Sequence, residues 1–79
     1  MIDIDPEKID EAVLALLCLT SFGDSGSHRA WKGHDWESLG RLHEKRMIFD
    51  PKGKAKSVVF TEEGYAQAKK TFETLFARD

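Results

Sequence analysis

Apolar residues recur at helical spacing in three stretches of the chain, and each stretch opens on a residue suited to cap it. Ile9, Ala12, Val13, Leu16 and Leu17 follow the i, i+3, i+4, i+7, i+8 rule of a helix with one buried stripe. Asp5 can accept from the free N–H groups of the first turn. Pro6 sits where no donor is needed, and Glu7, Asp10 and Glu11 place negative charge near the positive end of the helix dipole. This predicts a helix over 6–21. Leu14, Cys18 and Leu19 add a second apolar strip, so the last two turns are apolar all round, which a surface helix does not need. The helix is therefore either the central element or in contact with another chain. On the second reading Leu14, Cys18 and Leu19 are the candidate interface of a homodimer. Trp36, Leu39, Leu42, His43 and Met47 mark a second helix over 35–46 behind Asp35. Gly40 inside it costs about 1 kcal/mol relative to alanine, so a close approach to another helix or to Trp31 is expected there. Tyr65, Ala68, Phe72, Leu75 and Phe76 give a third helix, capped by Thr61 with Glu62 and Glu63 in its first turn.

The segments between the helices read differently. Residues 1–5 are a short acidic lead-in, and Gly-Asp-Ser-Gly-Ser over 23–27 is a flexible loop. His28 to Gly33 reads as a short strand, with Ala30 and Lys32 on one face and Arg29 and Trp31 on the other. Met47-Ile-Phe49, then Asp50-Pro-Lys-Gly53, then Lys54 to Phe60 reads as strand, turn, strand. On its second strand Lys56, Val58 and Phe60 share one face, while Ala55, Ser57 and Val59 share the other. The prediction is a single α+β domain over 1–79. Its order is helix, short strand, helix, β-hairpin, helix, which is a reduced winged-helix-like fold.

Size and charge narrow this picture. A chain of 79 residues supports one small core, and with a single cysteine no disulfide within the chain can reinforce it. A lone Cys18 in an apolar run fits a reducing compartment, where it behaves as a small hydrophobe. The amino terminus lacks the pattern of a signal peptide, and the apolar run from Ala12 to Leu19 is too short to span a membrane. A cytoplasmic location is expected. The net charge is −2, but residues 28–56 hold eight Lys/Arg against four acids, a local +4. The remainder holds four bases against ten acids. This predicts a dipolar molecule with one basic face, although 33% charged residues also serve simply to keep a small domain soluble.

No pattern of catalysis emerges. His28, His34 and His43 are spaced by six and nine residues and have no cysteine pair beside them, so no metal site is expected. No serine lies in a strained Gly-x-Ser-x-Gly turn, and Cys18 is flanked by leucines as a core filler. Gly23-Asp-Ser-Gly26 follows a helix and carries an acid, unlike a phosphate-cradling turn. A non-enzymatic protein without cofactor or small-molecule substrate is expected. DNA is the candidate partner: Lys52, Lys54 and Lys56 would form a wing on the phosphate backbone, with Arg41, Lys45 and Arg46 adding contacts from the preceding helix. Against this, Asp35 and Glu37 put acids at the helix end that would meet bases. The same lysines also serve to protect an exposed strand edge from aggregation. Trp31 and Trp36 bracket a basic loop where they can stack on a base or a partner, but in so small a domain core filling is the expectation. The alternative function is a protein–protein interaction or dimerisation adaptor that binds no nucleic acid.

Leu42 to Ile48, the lysine-bearing hairpin, and Val58-Val-Phe-Thr-Glu-Glu-Gly64 resemble the C-terminal half of MarR- and PadR-type winged-helix regulators. Those families place Gly-Leu where this chain has Arg46-Met47. The resemblance implies a regulatory, DNA-binding module. Over nearly its full length the chain resembles a family of small bacterial proteins known only as a domain of unknown function. That likeness is carried by Lys8 to Leu17, Arg29-Ala-Trp-Lys-Gly33, Asp35-Trp36 and Lys54 to Val59, and it implies a stand-alone bacterial cytoplasmic protein with no stated activity.

Overall fold

In the computed structural model, which describes residues 2–24 and 27–78, all three predicted caps are in place. The Asp5 carboxylate accepts from the Glu7 N–H at 3.0 Å, and α1 runs over Pro6–Leu19. The Asp35 carboxylate accepts from the N–H of Ser38 at 3.1 Å and from its hydroxyl at 2.8 Å, opening α2 over Trp36–Glu44. Thr61 Oγ1 accepts from the Gly64 N–H at 2.8 Å, opening α3 over Glu62–Phe76. Between α1 and α2 lie β1 (Phe22–Asp24) and β2 (Ser27–Trp31), and between α2 and α3 lies β3 (Ser57–Val59). The three strands form one antiparallel sheet in the order β1-β2-β3. The fold is α+β, and its element order is compatible with a small winged-helix-like arrangement.

The connections between the helices differ from the sequence reading. The 23–27 loop is partly sheet: Phe22 pairs with Arg29 and Gly23 with His28, while Ser25 and Gly26 lie outside the described residues. Gly23 has φ +130, and a Cβ there would run into the Ser27 carbonyl, so glycine permits the hairpin. A three-residue strand has too little alternation to announce itself. The predicted 47–60 hairpin is reduced to the Ile48–Phe60 bridge at its base, and 50–56 is turn and bend. Gly40 makes no close approach, since nothing lies within 4 Å of where its Cβ would be.

The core lies between the helices and one face of the sheet. It is built from Val13, Leu14 and Leu17 of α1, Leu39 and Leu42 of α2, Ala30, Ile48, Val58 and Phe60, and Ala68 of α3. The buried stripe of α1 is Asp10, Val13, Leu14, Ala15 and Leu17, turned from the predicted one, and Leu16 is left 37% exposed. α3 is turned likewise: it buries Gly64, Ala68 and Thr71, while Leu75 and Phe76 are exposed. Small residues on that face let α3 lie close to α1, and this covers Leu14, the first residue of the expected dimer strip. Leu14 is 4% exposed, Cys18 is half-buried against the core and Leu19 is 59% exposed. The second apolar side of α1 is thus explained largely within the chain, and Leu14 is not available to a partner.

At the start of α3 the chain is drawn against the end of α2. Met47 O accepts from the Thr61 N–H at 3.0 Å, the Thr61 hydroxyl donates to Arg46 O at 2.6 Å with Met47 O at 3.2 Å, and a Cβ on Gly64 would overlap the Met47 carbonyl. The two helical glycines therefore predict opposite outcomes in thermal or urea unfolding. Gly64→Ala should lower stability by at least about 2 kcal/mol, because the obstacle is backbone and cannot rotate away. Gly40→Ala should raise it by about 0.5–1 kcal/mol through helix propensity alone.

Candidate nucleic-acid interface

Alternation along the strands separates two populations of side chains. Ala30, Val58, Phe60 and Ile48 point into the core, and His28, on the same side, stacks on Tyr65 of α3 with ring centroids 3.6 Å apart. The other face carries Phe22, Arg29, Trp31, Ser57 and Val59, and is open to solvent. Trp31 is 58% exposed, and its ring centroid lies 4.9 Å from that of Phe22, tilted by 34°. Phe49, also 58% exposed, donates its N–H to Val59 O at 2.9 Å, which sets it beside β3. Arg29 Nε donates to Ser57 Oγ at 3.0 Å, which holds the side chain across to β3 on this face. Trp36, at the start of α2, is 52% exposed. Neither tryptophan is core, contrary to expectation. The reason is parity: Ala30, not Trp31, has the inward side of β2, and Ser38 and Leu39 have the inward side of α2.

The 50–56 segment leaves this sheet at the end that bears Trp31. Lys32 holds it there, donating its N–H to Lys56 O at 3.0 Å and its Nζ to Gly53 O at 2.9 Å. The Asp50 carboxylate is occupied by the Lys52 N–H at 2.9 Å, closing the turn. Lys52, Lys54 and Lys56 are all exposed. Arg29 lies on the ring-bearing face, and Lys32, Lys52, Lys54 and Lys56 cluster in and around the 50–56 segment at the Trp31 end of the sheet, where strand alternation carries Lys32 with Ala30 and Lys56 with Val58 on the opposite side.

The other three predicted contact residues are placed elsewhere. Arg41 Nε donates to both carboxylate oxygens of Asp10, at 3.0 and 2.8 Å, and Lys45 Nζ lies 3.4 Å from Asp Oδ2 of the same residue. Asp10 is 2% exposed. Sequence reading took it for a dipole-complementing surface acid, and no spacing signal marks a carboxylate whose partners are 31 and 35 residues away. Arg46 is exposed and has φ 63, the left-handed conformation that a glycine supplies after a helix. It lines a surface cleft with Thr61, Glu62 and Glu63. The helix and the lysine segment therefore do not present one joint basic face: Arg41 and Lys45 are committed to Asp10.

Among the described residues, no three His, Cys, Asp or Glu side chains come together as a metal site, and no helix is long and apolar enough to cross a membrane. Burial pushes the Cys18 thiol up, partly countered by Lys69, which keeps it protonated among its apolar neighbours.

The family model described as "Domain of unknown function (DUF6429)" matches residues 5–78. The chain belongs to that family. It is also similar to "Uncharacterized protein y4hR" of Sinorhizobium fredii (strain NBRC 101917 / NGR234), 49% identical over 76 residues, which is 96% of this chain and 99% of that protein. The predicted full-length resemblance is thus confirmed, with a bacterial relative. No solved structure matches the chain, and the winged-helix likeness rests on element order alone.

Burial pulls the Asp10 carboxyl upward, but the hydrogen bonds and charges of Arg41 and Lys45 outweigh it and hold the group below the usual carboxylate range. A depressed folded-state pKa contributes stability that is complete above the unfolded value of about 3.9 and is lost as pH falls through the folded one. Asp10→Asn should therefore be clearly less stable than the parent near neutral pH. The gap between their urea midpoints should narrow as the pH is lowered below about 4.

Proposed function

We propose that this protein is a non-enzymatic nucleic-acid-binding module whose contact surface is the open face of the sheet together with the 50–56 segment. The observation that carries this reading is that Arg29 shares a sheet face with the exposed rings of Trp31 and Phe22, while Lys32, Lys52, Lys54 and Lys56 cluster in and around the 50–56 segment at the Trp31 end of that sheet. Lysine and arginine neutralise phosphates and release counterions, while the rings add contact area that water solvates poorly. Such a surface binds a polyanion even though the whole chain carries −2, because the acids are concentrated on other elements. The reading moves the interface away from α2, whose Arg41 and Lys45 neutralise a buried carboxylate.

A second reading draws on the same rings. Exposed aromatics on one sheet face also suit burial against another protein, a second copy included, and this is the adaptor or homodimer alternative. Charge separates the two readings, since a copy of this chain would bring five like charges against five.

Fluorescence anisotropy with labelled oligonucleotides tests the proposal. Binding should weaken with salt, with a log–log slope of roughly −3.5 to −4.5 if all five cations contact phosphate. Replacing Lys52, Lys54 and Lys56 together by Glu should abolish it, while Arg46→Glu should change it little. No affinity for any oligonucleotide at low salt would end the reading.

A further inference from the structure

The nature of the nucleic acid follows from how the rings are held. Phe22 stands opposite Arg29 on β1, Trp31 lies two residues along β2 on the same face, and Phe49 lies beside Val59 at the far side of β3. Their backbone positions run from one edge of the sheet to the other, roughly 14 Å at the usual strand spacing, with the Phe22 and Trp31 rings packed together at 4.9 Å as one aromatic pair. Arg29 stands between them, pinned by Ser57 Oγ. A duplex has no use for such a surface, because its bases are already stacked on each other and expose only their edges in the grooves. Unpaired bases do, since each offers a π-face to a ring or to a guanidinium plane. The parts that would grip a duplex are missing. The helix ahead of the lysine segment opens on Asp35 and Glu37 and has Arg41 and Lys45 tied to Asp10. The segment itself is joined to the sheet at its base by one bridge and is drawn back onto the Trp31 end by Lys32, rather than standing out as a wing.

We infer that the open face of the sheet is a stacking platform for single-stranded nucleic acid, with bases on Trp31, Phe22 and Phe49 and the sugar–phosphate chain running past Arg29 toward Lys52, Lys54 and Lys56. This rests on the nucleic-acid reading above and sharpens it. The occupant is identified by two complementary features, rings for bases and, at the Trp31 end of the sheet, a cluster of cations for phosphates. Neither an anionic surface without rings to match nor an apolar partner without charge uses both.

The test compares oligothymidylate of about 12 nucleotides with the same strand paired to its complement, at low salt, on the full chain. The single strand should bind at least roughly tenfold tighter than the duplex. Trp31→Ala should weaken single-strand binding by roughly tenfold, and Trp31→Phe should retain most of it, since a ring remains. Trp31→Ala loses the packing on Phe22 and should lower the unfolding midpoint modestly while remaining folded at the assay temperature, and Trp31→Phe should lower it less, which melting curves verify. In a Trp36→Phe background the remaining indole is Trp31, and its fluorescence should be quenched as the strand binds. Equal or tighter binding of the duplex, unchanged by Trp31→Ala, would overturn the single-strand inference and leave the nucleic-acid reading standing. Absence of binding to either form would remove both. Self-association that Trp31→Ala abolishes, without oligonucleotide binding, would assign the face to a second copy of the chain.

Discussion

The carbonyl of Met47 is the point at which the two halves of the chain are fastened. It follows Arg46, whose left-handed backbone turns the chain out of α2, and it receives the N–H of Thr61, while the Thr61 hydroxyl donates chiefly to Arg46 O at 2.6 Å, with Met47 O at 3.2 Å. Gly64 then passes so close that no side chain fits between α3 and this peptide. One short junction therefore ends a helix, starts another and closes the base of the Ile48–Phe60 pair. From it α3 is directed across α1, where Ala68 and Thr71 keep the separation small. With α1 and α3 packed together on one side of the sheet, the other side has no helix to cover it. The uncovered aromatic face is a consequence of that packing, not a local property of the strands.

Charge is divided by the same architecture. Asp10 lies within the helical layer and would be costly to bury alone; two of the eight cations of the 28–56 region satisfy it. Arg46 is placed at the α2–α3 junction beside Glu62 and Glu63. What remains cationic is the set attached to the open face and the 50–56 segment. A basic region defined along the sequence is thus split in space into a structural part and an exposed part. The exposed part lies at the end of the sheet that bears Trp31.

Much of the framework is legible in the residues. Asp5-Pro6, Asp35 and Thr61 mark the three helix starts, because capping is a local hydrogen-bond matter settled within three residues. The Ala30 and Val58–Phe60 parity is legible as well, and with it which strand positions share a face. The site is only half legible. Charge picks out Lys52, Lys54 and Lys56, but Trp31 and Trp36 read as core because large aromatics usually fill small cores. Arg41 and Lys45 read with the lysines because nothing near them in sequence announces a buried acid.

The sequence by itself determined where the helices begin, which strand residues alternate, that the basic residues cluster between 28 and 56, and which family the chain belongs to. These depend on short-range chemistry or on direct likeness. Only the tertiary structure decided which side of α1 and α3 faces inward, that Asp10 takes up Arg41 and Lys45, and that Trp31 and Phe49 stay in solvent. Those outcomes depend on contacts between residues tens of positions apart, which periodicity cannot specify. The rotation of a helix about its axis is set by what packs against it, and here small residues and one buried carboxylate set it.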